Sequence, residues 1–203
     1  MAPAPKPPRA WQRMLSGRRL DLLDPSPLDV EIEDVAHGLS RVPRWNGQTT
    51  GEWAFSVAQH SVLVERIVGL AAPGTAPRWR LAALLHDGPE YVIGDLISPF
   101  KAVVGGEYKA LEARLMGAIH RRAGLPETLP RTAGQAIKRA DRTAAWFEAT
   151  QLAGFAEEEA ARYFPRPRFR REIAIRLDPL PPREARDAFL ERYERLRRAC
   201  GFG

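Results

Sequence analysis

RWRLAALLHDGP, residues 78–89, is the stretch whose reading decides the fold. A run of good helix formers, mostly apolar, leads into His86-Asp87 and then into Gly88-Pro89, a pair that stops a helix. The run predicts a buried helix over 78–87 that delivers an imidazole and a carboxylate toward the interior. A buried carboxylate is costly unless a cation or hydrogen-bond donors meet it. Adjacent helical side chains point about 100° apart, so His86 and Asp87 reach one ion only if it sits just off the helix, between them.

Two further helices bring the same kinds of residue inward. Over 52–71, Trp53, Val57, His60, Val64 and Ile67 fall on one stripe. Over 132–153, Ile137, Asp141, Ala144 and Glu148 share a face. Each polar member has an ordinary alternative when taken alone. His60 fits a satisfied core histidine, Asp87 a helix-end residue, and Asp141 the partner of a buried arginine. Taken together, two imidazoles and two carboxylates converging in a core are best explained by one divalent metal held by His60, His86, Asp87 and Asp141. The mixed nitrogen and oxygen set suits Mn²⁺, Co²⁺, Fe²⁺, Zn²⁺ or Mg²⁺ and separates them poorly. On an octahedral ion it leaves positions for water or substrate oxygens.

The remaining chain continues the helical pattern. Helices are expected over 29–40, over 107–123 with Gly124 as C-cap, and over 183–199. Loops carry RVPRWNGQTTG after Ser40, the irregular 90–105, and the basic, extended PRPRFRRE at 165–172. No repeat, heptad run or second core is visible. Residues 1–10, Pro-rich, read as a disordered tail, and 11–203 as a single all-α domain.

Composition sets bounds on function. The 203 residues are 44% hydrophobic and 28% charged, ordinary for one globular domain. No apolar run is long enough to span a membrane, and MAPAPKPPRA has no secretory h-region. Cys200 is the single cysteine, which excludes a disulfide framework and fits a cytoplasmic setting. The net charge of +6 permits anionic partners, but arginines outnumber lysines 27 to 4 and read mainly as solvated surface. The basic run 162–176, with Tyr163, Phe164 and Phe169, is expected to wrap the core rather than to bind nucleic acid.

SVAQHS, LLHDGPEYVIGDLISPFK and KRADRTAAWFEA together resemble the HD-domain superfamily of metal-dependent phosphohydrolases, most closely its bacterial 5′-deoxynucleotidase-like branch. The preceding DVAHGLSRVPRWNGQTTG is similar to the segment before the first histidine in that branch. The resemblance covers about residues 20–155, leaving 156–203 as a C-terminal helical extension. It implies a helical HD-domain bundle with one metal in its core on His60, His86, Asp87 and Asp141, and catalytic roles for Glu90 and Asp95. It also implies a phosphate-binding arginine matched by Arg44, with Arg41 competing because the loop spacing differs.

Around that site, Glu90 can position water or act as acid or base, and Asp95 can protonate a leaving ribose oxygen. Arg44 offers a fork for phosphate, Lys101 a point charge, and Trp45 a wall for sugar or base. The expected activity is phosphate release from nucleoside 5′-monophosphates, in particular deoxynucleotides. The alternatives are a dNTP triphosphohydrolase and a non-catalytic nucleotide- or nucleic-acid-binding module. Expected partners are a nucleotide or other small phosphoester and a second copy in a homodimer, with no membrane.

Overall fold

The computed structural model describes residues 10–96, 106–169 and 174–201. Lys101 lies outside them, as do residues 1–9 of the expected tail. Ala10, the last residue of that tail, is paired: its carbonyl accepts from the Leu22 amide at 2.9 Å. The chain opens with a two-stranded antiparallel hairpin, β1 (Trp11–Arg13) and β2 (Arg19–Asp21). Among the described residues, everything after it is helix or loop apart from an isolated bridge between Pro43 and Ser56. The helices are α1 (Ile32–Leu39), α2 (Val57–Ala71), α3 (Pro77–Leu84), α4 (Glu90–Ile93), α5 (Gly106–Arg122), α6 (Arg131–Gln151), α7 (Glu157–Tyr163) and α8 (Pro182–Ala199). The expectation of a mainly helical domain therefore holds, with the hairpin as an addition. No helix among the described residues is long and apolar enough to cross a membrane.

Helix α2 lies at the centre, packed against α3, α6 and α8. Its buried residues include Val57, Ala58, Leu63, Val64, Ile67 and Val68, and they cover nearly the whole circumference, as a helix enclosed by others requires. Ser56 caps its start by accepting from the Gln59 amide. The helix thus begins at Val57 rather than at 52. Trp53, placed by periodicity on the inner stripe, sits instead in the preceding loop and is exposed. Helix α8 is no appendage to the core: Ala185, Phe189, Tyr193 and Leu196 are buried, and the helix packs on α1, α2 and α3.

Two departures from the expected helices matter for the site. Helix α3 ends at Leu84, and residues 85–89 form a tight turn. There the Gly88 amide bonds to the Leu85 carbonyl and the Glu90 amide to the Asp87 carbonyl, spacings of three residues rather than four. His86 and Asp87 are therefore not adjacent positions on a helix, and the 100° divergence that would splay them does not apply. Helix α7 lies in the expected C-terminal helical extension, where no bounds were assigned to it. Glu157, Glu158 and Glu159 in its first turn and Arg162 in its last match the helix dipole, a signal the sequence did carry.

The short helix α4 lies against α1 at its closest approach. A Cβ on Gly38 would come within 2.7 Å of both Tyr91 Cβ and the Tyr91 carbonyl oxygen. Only glycine lets α4 settle where it carries Glu90. Gly38→Ala is therefore expected to cost about 1–3 kcal/mol through forced displacement of α4. A urea titration checks this, and an unchanged midpoint would show that α4 moves freely.

Candidate functional site

The loop before α2 is closed at its base by backbone pairing. The Arg44 amide bonds to the Phe55 carbonyl at 2.8 Å and the Val57 amide to the Val42 carbonyl at 3.0 Å. Farther along, the Thr50 amide bonds to the Leu152 carbonyl, fastening the loop to the end of α6. Within it, Trp45 (φ 57°) and Asn46 (φ 51°) adopt the left-handed conformation, which costs a non-glycine residue about 1–3 kcal/mol and persists where surroundings enforce it. Here the enforcement is visible: the Trp45 indole N–H donates to Glu148 Oε2 at 2.9 Å.

Glu148 is wholly buried and collects three donors. Its Oε1 accepts from His60 Nδ1 at 2.5 Å, and its Oε2 accepts from Trp45 Nε1 and, at 3.3 Å, from Arg44 Nε. Burial alone would raise its pKa, but the Arg44 guanidinium, His60 and the Trp45 N–H bring it down to about 2. Sequence reasoning placed Glu148 on the face of Asp141 without a role. The spacing of seven residues, two turns of one helix, was the available signal.

The bond to Glu148 fixes the tautomer of His60. With Nδ1 donating, Nε2 is left as a lone pair. His86 is set the same way, its Nδ1 donating to the Ala83 carbonyl at 2.9 Å. The two bare Nε2 atoms face each other at 3.3 Å. His60 Nε2 also lies 3.3 Å from Asp141 Oδ1 and 3.3 Å from Asp87 Oδ2, while His86 Nε2 lies 3.2 Å from Asp87 Oδ2. The ligand atoms of His60, His86 and Asp141 all fall within 4.8 Å of one another and form a group that can hold a metal ion, with Asp87 beside both imidazoles.

These four atoms are all acceptors, and they repel unless a cation or a proton stands among them. Ligands about 2.0–2.2 Å from one ion are separated by about 3.0–3.5 Å along the edges of an octahedron or tetrahedron, which matches the spacing seen. The electrostatics agree. Burial and Arg44 oppose a charge on His60, yet Glu148, Asp141 and Asp87 outweigh them and raise its pKa well above the ordinary histidine value. Asp87, despite its burial, is held well below the usual carboxylate range by His86 and His60. The carboxylates thus favour a positive charge at this group, carried by a proton on an imidazole or by a metal ion.

A cleft of about 840 Å³ opens onto this group. Asp87, Glu90, Asp95 and Asp141 line it together with Arg44, Lys138 and Arg142 and the aromatic residues Trp45, Phe155, Tyr163 and Phe164. Glu90 and Asp95 thus share the cleft with Asp87 and Asp141. Arg44 lines the cleft, whereas Arg41 bonds back to the His37 carbonyl and Ser40. Arg44 is also partly committed, its Nη1 donating to Asp95 at 2.8 Å. Lys138 and Arg142, which flank Asp141 on α6, were overlooked. Both are exposed, and neither is ion-paired among the described residues.

Several other expectations settle here. His37 and His120 stand apart from the group that can hold a metal ion. His120 is buried, with Nδ1 bonded to the Glu127 carbonyl at 3.2 Å. Within the basic run, Phe169 stacks on Phe147 with its ring 6.4 Å away and nearly parallel, as a wrap on the core requires. Tyr163 and Phe164 do more than wrap, since they wall the cleft.

No family model matches the chain. Over 193 residues it is 59% identical to an uncharacterized protein of Rhodobacter capsulatus, a span that takes in 94% of this chain and 97% of that one.

Proposed function

Because the chain belongs to the same family as the Rhodobacter capsulatus protein, whose name states no activity, we propose a function from the site itself: a divalent-metal-dependent phosphohydrolase of the HD-domain type that releases phosphate from nucleoside 5′-monophosphates, deoxynucleotides in particular. One observation carries the proposal. Two imidazoles, each turned by its Nδ1 bond so that Nε2 is bare, meet two carboxylates at 3.2–3.3 Å at the foot of an open cleft. Such a group has no structural purpose that apolar side chains would not serve at lower cost.

A divalent ion on His60, His86, Asp87 and Asp141 supplies a Lewis acid for a phosphoryl oxygen and lowers the pKa of water. The residues of the chain do the rest. Glu90, buried at the start of α4 and lining the cleft, orients the attacking water and takes up its proton. The proton that Glu90 takes up then passes to the leaving ribose oxygen, with Asp95, held in place by Arg44, positioned to relay it. Lys138 and Arg142 draw the phosphate dianion into the cleft and offset the charge that grows on its oxygens. Lys101 is proposed for the same task. Arg44 orients Glu148 and Asp95, and its fork adds a donor on the substrate side.

The test is phosphate release from a panel of ribo- and deoxynucleoside mono-, di- and triphosphates, with Mn²⁺, Co²⁺, Mg²⁺ or EDTA. Release from monophosphates is expected, abolished by EDTA and restored by excess metal. Tripolyphosphate release from dNTPs alone would move the protein to the triphosphohydrolases. Folded protein that turns over nothing with any metal would leave a nucleotide-binding module.

A further inference from the structure

We propose that Phe155, Tyr163 and Phe164 form a platform on which the base of the substrate stacks, so that the segment following α6 selects phosphoesters bearing a planar aromatic group. The inference rests on the phosphohydrolase reading of the same cleft and adds the residues that hold the base. Tyr163 and Phe164 lie beyond the stretch on which the superfamily resemblance rests.

The cleft combines two kinds of wall: the acids Asp87 and Asp141 and the cations Lys138 and Arg142, and the aromatic rings of Trp45, Phe155, Tyr163 and Phe164. The rings do not stack on one another. Trp45 meets Phe155 at 55° and Phe164 at 75°, Phe155 meets Tyr163 at 84°, and Tyr163 meets Phe164 at 59°. Their centroids are 5.8–6.4 Å apart. Tilted rings do not cover each other's faces, and Tyr163 is 61% exposed although it lines the cleft. An aromatic side chain left open in a concave site is a recognition feature, because burial elsewhere would stabilise the fold more.

Trp45 ties the rings to the group that can hold a metal. Its ring contacts Phe155 and Phe164 at 5.8 Å between centroids, with Tyr163 6.4 Å beyond them, and its Nε1 is joined through Glu148 to His60 by hydrogen bonds of 2.9 and 2.5 Å. A substrate with its phosphate at that group therefore has aromatic rings along the same cleft for its base. Face-to-π contact is tolerant of base identity, so the platform reads planarity rather than sequence.

The test compares 2′-deoxyadenosine 5′-monophosphate with 2-deoxyribose 5-phosphate, which has the same ester and sugar but no base. For Tyr163→Ala the ratio of their kcat/KM values is expected to fall about tenfold, mainly through KM for the nucleotide. Tyr163→Phe keeps the ring and is expected to retain the wild-type ratio. Binding of deoxyadenosine in EDTA, followed by tryptophan fluorescence, gives a readout free of catalysis. If the wild type hydrolyses nothing but binds deoxyadenosine, and Tyr163→Ala loses that binding, the platform stands while the phosphohydrolase reading fails. An unaltered ratio, or equal deoxyadenosine binding by wild type and Tyr163→Ala, overturns the platform.

Discussion

Asp141→Ala is expected to abolish metal-dependent phosphate release, with a loss of well over 100-fold in kcat/KM. The bound is set by residues that only orient metal ligands, whose removal typically costs 10–100-fold, and Asp141 is placed in direct contact with the ion. Asp141 Oδ1 stands 3.3 Å from His60 Nε2, an edge of the ligand group. Its side chain is also the most open of that group to the cleft, 37% exposed against 0% for His60. Truncation there removes a ligand without excavating the core, so the protein stays folded. Titration calorimetry with Mn²⁺ is the direct check. A variant that binds Mn²⁺ as tightly as the wild type would show that the metal sits elsewhere or that the cluster holds a proton instead.

Glu148 is the second residue with a large expected effect, and it works through stability as well as affinity. Glu148→Ala strips three donors of their common acceptor in a fully buried place. Breaking a buried ion pair from one side costs about 3–5 kcal/mol, because the guanidinium of Arg44 keeps only Asp95 as counter-charge and the donors of His60 and Trp45 lose their acceptor. In a chain of this size that lowers the melting temperature by roughly 10 °C. Glu148→Gln separates charge from shape. An amide has one accepting oxygen and a donating NH₂, yet Nδ1–H of His60, Nε1–H of Trp45 and Nε–H of Arg44 all require acceptors. Whichever way the amide turns, a donor faces a donor. Weakened control of the His60 tautomer is expected to reduce Mn²⁺ affinity 10–100-fold. Wild-type affinity in a folded Glu148→Gln protein would reduce Glu148 to a purely structural role.

The four ligand candidates were legible because each breaks an apolar pattern at helical spacing. The quality of their assembly was not. Periodicity treats His86 and Asp87 as neighbours on a helix, pointing apart. It cannot see that α3 ends at Leu84 and that a turn of three-residue bonds draws both side chains to one point. Glu148 carried a face but no partner, since its donors lie about 90–100 positions earlier in the chain. Lys138 and Arg142 looked like two of many surface cations until the cleft showed which ones border the metal-ligating group.

By itself the sequence determined the helical class, the candidate metal ligands His60, His86, Asp87 and Asp141, and the loop that carries Arg44 and Trp45. Each follows from local rules: apolar spacing, caps and breakers, and the cost of burying charge. Only the tertiary structure decided the tautomers, which of Arg44 and Arg41 lines the cleft, the hub at Glu148 and the aromatic wall at α7. Those depend on contacts between residues far apart in sequence, and no periodicity within a single helix encodes the distance between two of them.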